Sequence, residues 1–433
     1  MTTEKLSNAT DGGWAPRRAI AGLRDASWLT PERARGWCVV LATIMLSVGI
    51  IVVALSRNGL DIFGRPLGTD FVSFWSASHL ALTGHSGSVY DPVTLNAAER
   101  SLFPSGRADF YAFFYPPTYL LLCLPLAALP YLTSLILWLT GGAIALLACI
   151  RRLLPQRWAL LPILAYPGMM INIGHGQNGF LSASCFGGGM LLLQRWPVLA
   201  GLCLGGLAFK PHLALAVPLA LVAARRWRVL AGAAASSLGL FALSWIVLGR
   251  SAWTDWFRLS SLARAALEGQ LVGDAKMPSV FAAVRLLHGT LVGAYAAQGA
   301  AAFVAGILLT RTAIKRPGAH AEGAVMVVST LMCTPFVLDY DLVCLSLPLA
   351  WVVAEAQRTG WYPWEKITLL LAFGLPLFSR TVAMGLGLPL APCILGAFLL
   401  VVIRRAHAVP LLIAQGNRDV SIRARSKETA QTI

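Results

Sequence analysis

The chain has 433 residues, of which 57% are hydrophobic and only 12% charged, where a soluble domain carries about a quarter charged residues. Apolar runs long enough to cross ~30 Å of hydrocarbon recur along nearly the whole length, which excludes a water-soluble globular protein. The formal net charge of +16 does not point to nucleic acid, because Lys and Arg stand in short clusters between apolar runs, as a membrane topology is written.

Residues 1–36 are polar, carry Arg17, Arg18, Arg24, Arg33 and Arg35, and read as a cytoplasmic N-terminal arm. No small-residue cleavage site follows the first apolar run, so no cleavable signal peptide is expected. The first span is placed at 37–55, and a long polar external loop, 56–112, follows it. In that loop Phe71, Phe74, Trp75 and Leu80 mark an amphipathic stretch suited to a helix lying in the interface. The apolar block 113–150 is interrupted by Pro116, Pro117, Pro125 and Pro130, and predicts a broken or re-entrant segment leading into one net crossing.

Further spans are expected near 157–172, 178–193, 197–209, 212–224, 228–248, 290–312, 321–335, 340–354, 366–380 and 386–403. The chain thus divides into the arm, a polytopic membrane domain over 37–403, and a polar cytoplasmic tail, 404–433, disordered beyond Gln415. Seven of the eight cysteines lie inside apolar runs with no CxxC spacing, so neither a disulfide nor a metal site is expected.

With the N-terminus inside, the clusters Arg151–Arg157, Arg195, Arg225–Arg228, Arg311/Lys315/Arg316, Arg358/Lys366 and the tail fall on the cytoplasmic side. The count is about twelve spans with both termini inside. The other side receives 56–112, Gly174–Asn178, Phe209–His212, 249–289 and Leu338–Asp341. Its short turns collect His, Gln, Asn, Asp and Lys, and ionisable groups at membrane depth are functional candidates.

Five segments on that side stand out. The first is Gly68-Thr69-Asp70-Phe71-Val72-Ser73-Phe74-Trp75 with Tyr90-Asp91, and the second is Phe114-Tyr115-Pro116-Pro117. The others are Gly174-His175-Gly176-Gln177-Asn178-Gly179, Phe209-Lys210-Pro211-His212 and Thr334-Pro335-Phe336-Val337-Leu338-Asp339-Tyr340-Asp341. Each admits a plain structural reading. Thr69 or Asp70 can cap the helix that follows, as Asp339 and Asp341 can cap theirs. Lys210 can be a snorkelling lysine, 174–179 a tight helix hairpin, and His175 and His212 satisfied structural histidines. Tyr115, Trp75, Trp253 and Trp256 read as interfacial anchors before sugar platforms.

In order and spacing, the segments DFVSFW…YD, YPP, GQNG and KPH resemble glycosyltransferase family 87, over about 40–400; the family usually has KPQ for the last. The resemblance implies an all-α integral membrane protein with a GT-C-like bundle. It also implies a mannosyltransferase that uses a polyprenyl-phosphate sugar as donor. Asp70 matches the acidic base in the first external loop of such enzymes, and inversion needs one carboxylate to take the proton of the attacking hydroxyl. Lys210 then stabilises the leaving phosphate, with His212 and His175 as further phosphate contacts. Gln177, Asn178, Tyr115, Asp339 and Asp341 bind the sugar or the acceptor, a glycolipid or glycan. A metal pair at Asp339 and Asp341 is conceivable, but a monophosphate leaving group does not require one, and neither metal nor cofactor is expected. The implied location is a bacterial inner membrane with the active site external. The competing reading, a transporter or flippase of lipid-linked sugars, would call for internal repeats and midplane charges, and neither is visible.

Overall fold

The computed structural model describes residues 14–107 and 109–408. Among these the protein is helical, and no strand forms beyond two isolated bridges, Arg57 to Leu60 and Leu60 to Pro66. Six helices are long and apolar enough to cross a membrane: Pro31–Ala54, Tyr131–Leu153, Trp227–Glu268, Leu291–Lys315, Glu365–Leu386 and Ala391–Ala408. Shorter apolar helices lie among them, including Pro117–Ala128, Gly179–Leu192, Pro197–Phe209, Pro211–Ala223 and Ala319–Cys333.

Pro31–Ala54 shows why the solvent must be lipid. Thr30 accepts the backbone N–H of Arg33, and Pro31 fills the first turn, where its missing donor costs nothing. Of the whole helix only Ala42 is buried, while Trp37, Ile50 and Val53 are exposed. A helix this apolar and this exposed on all sides is stable only against hydrocarbon. The protein is an integral membrane protein. Ala319–Cys333 is the opposite case, buried almost throughout, and with Ser346–Thr359 it lies in the main core.

Helices in lipid gain little from hydrophobicity alone and associate by close packing of small residues. Gly201 and Gly205, spaced as GxxxG on Pro197–Gly206, press against Trp227–Glu268. A Cβ on either would lie 2.1 Å from a carbonyl oxygen, that of Val229 or Ala233. Ser236 and Ser237 donate across the same contact to the carbonyls of Leu202 and Gly205.

Several expectations need correction. The first long helix begins at Pro31, because Thr30 caps it, and the polar arm before it contains a helix, Trp14–Asp25. The stretch beginning at Phe71 is helical over Phe71–Leu82, with Phe71, Val72 and Phe74 buried among protein side chains and Leu82 exposed at its end. The region 249–289, assigned only to the external side, is largely helical: Trp227–Glu268 reaches into it, kinked at Gly249 (φ 80°, ψ 171°), and Val280–Leu286 follows. The segment 157–172 breaks before Pro167, giving Leu160–Leu164 and Pro167–His175. The last helix runs to Ala408, so Arg404 and Arg405 are helical, and Arg405 is buried against Glu365. The expected disorder beyond Gln415 lies outside the described residues.

Candidate active site

Two glycine turns meet at the centre of the site. Gly176 ends Pro167–His175 in the left-handed conformation (φ 64°), and Gly68 has φ 70°. They approach so closely that a Cβ on Gly176 would lie 2.6 Å from Phe71 Cβ and 3.2 Å from Gly68 Cα. The Asp70 backbone N–H donates to the His175 carbonyl at 3.0 Å, locking the turns together.

Asp70 occupies the N-cap position of Phe71–Leu82, yet its side chain makes no capping hydrogen bond. Its Oδ2 instead accepts Gln177 Nε2 at 2.9 Å, and His175 Nδ1 stands 3.6 Å away, itself 3.0 Å from Thr69 Oγ1. The Asp70 side chain is 30% exposed. The Gln177 amide can take only one orientation. Its Oε1 accepts both the Tyr115 hydroxyl (3.0 Å) and the Asn178 N–H (3.1 Å), so the NH₂ must face Asp70.

Behind this pair lies a buried charge. Lys210 Nζ donates to Asp341 Oδ1 at 2.5 Å and to Asn178 Oδ1 at 3.0 Å, and sits 4.8 Å from the Tyr340 ring centroid. Lys210 is 2% exposed and Asp341 1%. Asp341 Oδ2 also accepts the Leu338 N–H, so Asp341 holds its own turn while it neutralises Lys210. The ammonium expected at the membrane edge is therefore enclosed and already paired. His212 is half-buried beside it, its ring edge-on to Phe336 and its Nε2 buried without a partner among the described residues.

A second group of charges is more open. Asp339 is 8% exposed and lies 3.6 Å from Arg380, whose side chain is 37% exposed. Burial raises the Asp339 carboxyl above its ordinary range, with His175, Arg380 and Lys276 pulling the other way. His175, in the glycine turn, is shifted upward: burial opposes its charge, and the bond and charge of Asp70 outweigh that. Sequence reading missed Arg380 and Lys276. Arg380 closes the expected span 366–380, and a cation at a span end close to Asp339 is the kind of signal that singles out Lys210.

The structure thus joins Asp70, His175, Gln177, Asn178, Tyr115, Lys210 and Asp341 in one hydrogen-bonded cluster, with Asp339 bordering it and His212 behind it. Trp256 donates to the Phe114 carbonyl and Trp75 to that of Leu129, so both indoles tie protein segments together. Among the described residues no group of three or more His, Cys, Asp or Glu is arranged to hold a metal ion. The arrangement offers one partly exposed carboxylate, held from one side by Gln177 and standing beside His175.

The family model described as glycosyltransferase family 87 matches residues 113–335. The match takes in the turns of Tyr115, Gln177 and Lys210 and stops before Asp339; Asp70 precedes it. No curated protein and no solved structure matches the chain.

Proposed function

Because the chain belongs to glycosyltransferase family 87, we propose that this membrane glycosyltransferase moves a hexose, mannose, from a polyprenyl-phosphate carrier to a hydroxyl of a glycolipid or glycan. In this reading the acceptor oxygen attacks the anomeric carbon and the bond from that carbon to the phosphate oxygen breaks with inversion. Asp70 takes the acceptor proton, and polyprenyl phosphate leaves as the anion.

The observation that carries the reading is the state of Asp70. A helix N-cap carboxylate that does no capping, is held from one side by Gln177 and is part open on the other has the geometry of a positioned base. Gln177 and Asn178 position it, while Tyr115 and Asp339 border the space in which sugar hydroxyls would sit. Lys210 acts from behind, through Asn178 and Asp341. The protein is read as a GT-C-like bundle of about twelve crossings, shorter helices included, with both termini cytoplasmic and the Asp70 end external.

The test offers polyprenyl-phosphate mannose and a nucleotide mannose separately to membranes containing the protein, each with and without EDTA. Transfer from the lipid-linked sugar, undiminished by EDTA, is the expected result. Transfer from the nucleotide sugar alone would overturn the donor assignment.

A further inference from the structure

Just past Pro31–Ala54 the chain folds back on itself as a short finger, 57–67. Asn58 and Gly59 both take left-handed backbone (φ 51° and 79°), which lets Arg57 and Leu60 exchange two backbone hydrogen bonds. The Leu67 N–H then donates to the Gly59 carbonyl at 2.8 Å. At the tip the Asp61 N–H donates to the Arg65 carbonyl, and Asp61 Oδ1 accepts the N–H groups of Phe63 and Arg65, both at 2.8 Å. This closed turn holds Ile62 and Phe63 outward, 61% and 66% exposed. Two exposed apolar side chains alone need no explanation; their surroundings supply one.

The finger stands between the ends of two crossings. Val53 and Leu55, where the lipid-exposed first helix stops, are themselves exposed. Gly59 lies against the start of Tyr131–Leu153, where its Cβ would be 3.7 Å from Leu132 Cδ2, and the Tyr131 hydroxyl donates to the Leu67 carbonyl at 2.7 Å. From Gly59 to Phe63 the finger reaches at most about 14 Å, enough to cover a headgroup layer roughly 5–8 Å deep. Arg57, Arg65 and Arg107 are exposed around the tip, and the Arg107 N–H donates to the Gly64 carbonyl at 2.8 Å. Two carboxylates lie among them. Asp61 is turned onto the backbone, and Asp109 stands 3.7 Å from both Arg65 and Arg107, too far for a hydrogen bond, so the guanidinium donors stay available. An apolar tip rimmed by arginines matches a phospholipid surface, with acyl chains for the tip and phosphates for the rim.

We propose that the finger 57–67 is a bilayer anchor. Ile62 and Phe63 enter the leaflet in which Pro31–Ala54 ends, and Arg57, Arg65 and Arg107 hold phospholipid phosphates around them. The planar guanidinium fork suits phosphate oxygens, and its weak hydration suits the headgroup layer. The anchor is coupled to the candidate site. The Tyr131 hydroxyl meets the carbonyls of both Leu67 and Gly68, and Asp70 follows two residues on. The depth of the tip therefore sets the height of the Asp70 turn above the lipid.

The experiment has two arms. In the first, the wild-type protein in phosphatidylglycerol nanodiscs is labelled with a phospholipid carrying a diazirine near its headgroup, and separately with a water-soluble diazirine. Mass spectrometry should find the lipid adducts at Ile62 and Phe63 and few adducts there from water. Ile62→Ser with Phe63→Ser should lower lipid adducts over 57–67 by roughly tenfold or more, and Arg65→Gln with Arg107→Gln by about fivefold. A tip labelled only from water overturns the anchor and leaves a protein partner as its occupant; an unchanged yield in the Gln pair overturns the role of the arginines. The second arm alone rests on the transferase reading. There Ile62→Ser with Phe63→Ser should raise KM severalfold for a long-chain donor held in the bilayer and leave that for a water-soluble short-chain donor unchanged. Equal effects on both donors overturn the coupling to Asp70. If the finger labels from lipid yet the protein transfers nothing from either donor, the transferase reading fails and the anchor stands.

Discussion

Gln177 Nε2 donates to Asp70 Oδ2 at 2.9 Å, and the same amide's oxygen is pinned by the Tyr115 hydroxyl and the Asn178 N–H. The carboxylate is thus presented by a side chain that cannot turn over without losing three hydrogen bonds at once. Asp70→Asn keeps the shape and can still accept from Gln177, but it cannot take a proton. Transfer should fall by about a hundredfold to ten-thousandfold, while the thermal melting of the purified protein in detergent stays near wild type. Turnover within a few-fold of wild type would give the base to another group.

Gln177→Glu tests the presentation itself. Two carboxyl groups facing each other resist losing both protons, so the acid limb of the rate–pH profile should move to higher pH. Gln177→Leu should lower the rate without moving that limb. Profiles that superimpose for Gln177→Glu and wild type would separate Gln177 from the reacting carboxylate.

Lys210→Met leaves Asp341 charged, buried and uncompensated, which costs about 3–5 kcal/mol. The double change Lys210→Met with Asp341→Asn removes both charges and keeps an acceptor for the Leu338 N–H, so most of the stability should return. Melting curves of the two variants check this. If the single variant melts like wild type, the pair is not the strut that its burial implies.

Glu99 is a buried carboxyl in the helix Pro92–Leu102, with Oε2 accepting the Tyr111 N–H and Oε1 without a partner among the described residues. Burial pushes it up to about 8, from an ordinary 4.5. Between those two values the unfolded chain has given up the proton that the folded protein keeps, so stability falls as pH rises through that window. Glu99→Gln should therefore stabilise the protein at pH 9 relative to wild type and do little near pH 4. Thermal melts across pH measure it, and equal shifts at both ends would mean that Glu99 is already ionised in the fold.

Topology is open to a direct measurement. Cysteines introduced at exposed positions of the 56–112 loop should react with an impermeant reagent in intact cells, and those at Arg225 or Arg228 should not. The reverse pattern would place Asp70 on the cytoplasmic side and remove the case for a lipid-linked donor.

The residues of the site were legible because polar groups at membrane-edge turns have no solubility task. Asp70, Gln177, Lys210 and Asp341 stood out for that reason, and the structure brings them together. What linked them was not legible. Nothing local to Phe209-Lys210-Pro211 says that its cation is met by a carboxylate 131 positions later. The turn of Gly174–Gly179 looked equally like a plain hairpin, and only the approach of Gly68 distinguishes it. The helix beyond Gly249 escaped notice because hydropathy stops at the membrane edge while backbone hydrogen bonding does not.

The Lys210–Asp341 pair also bears on how the chain comes to be made. A ribosome delivers the Lys210 turn to the membrane long before Asp341 is synthesised, and until then the ammonium has no carboxylate to meet. A charged lysine without a carboxylate partner is costly in a dry interior, which favours a hydrated turn, with Asn178 alone as its acceptor, until Asp341 is in place. The packing around Lys210 is thus completed by a residue made 131 positions after it.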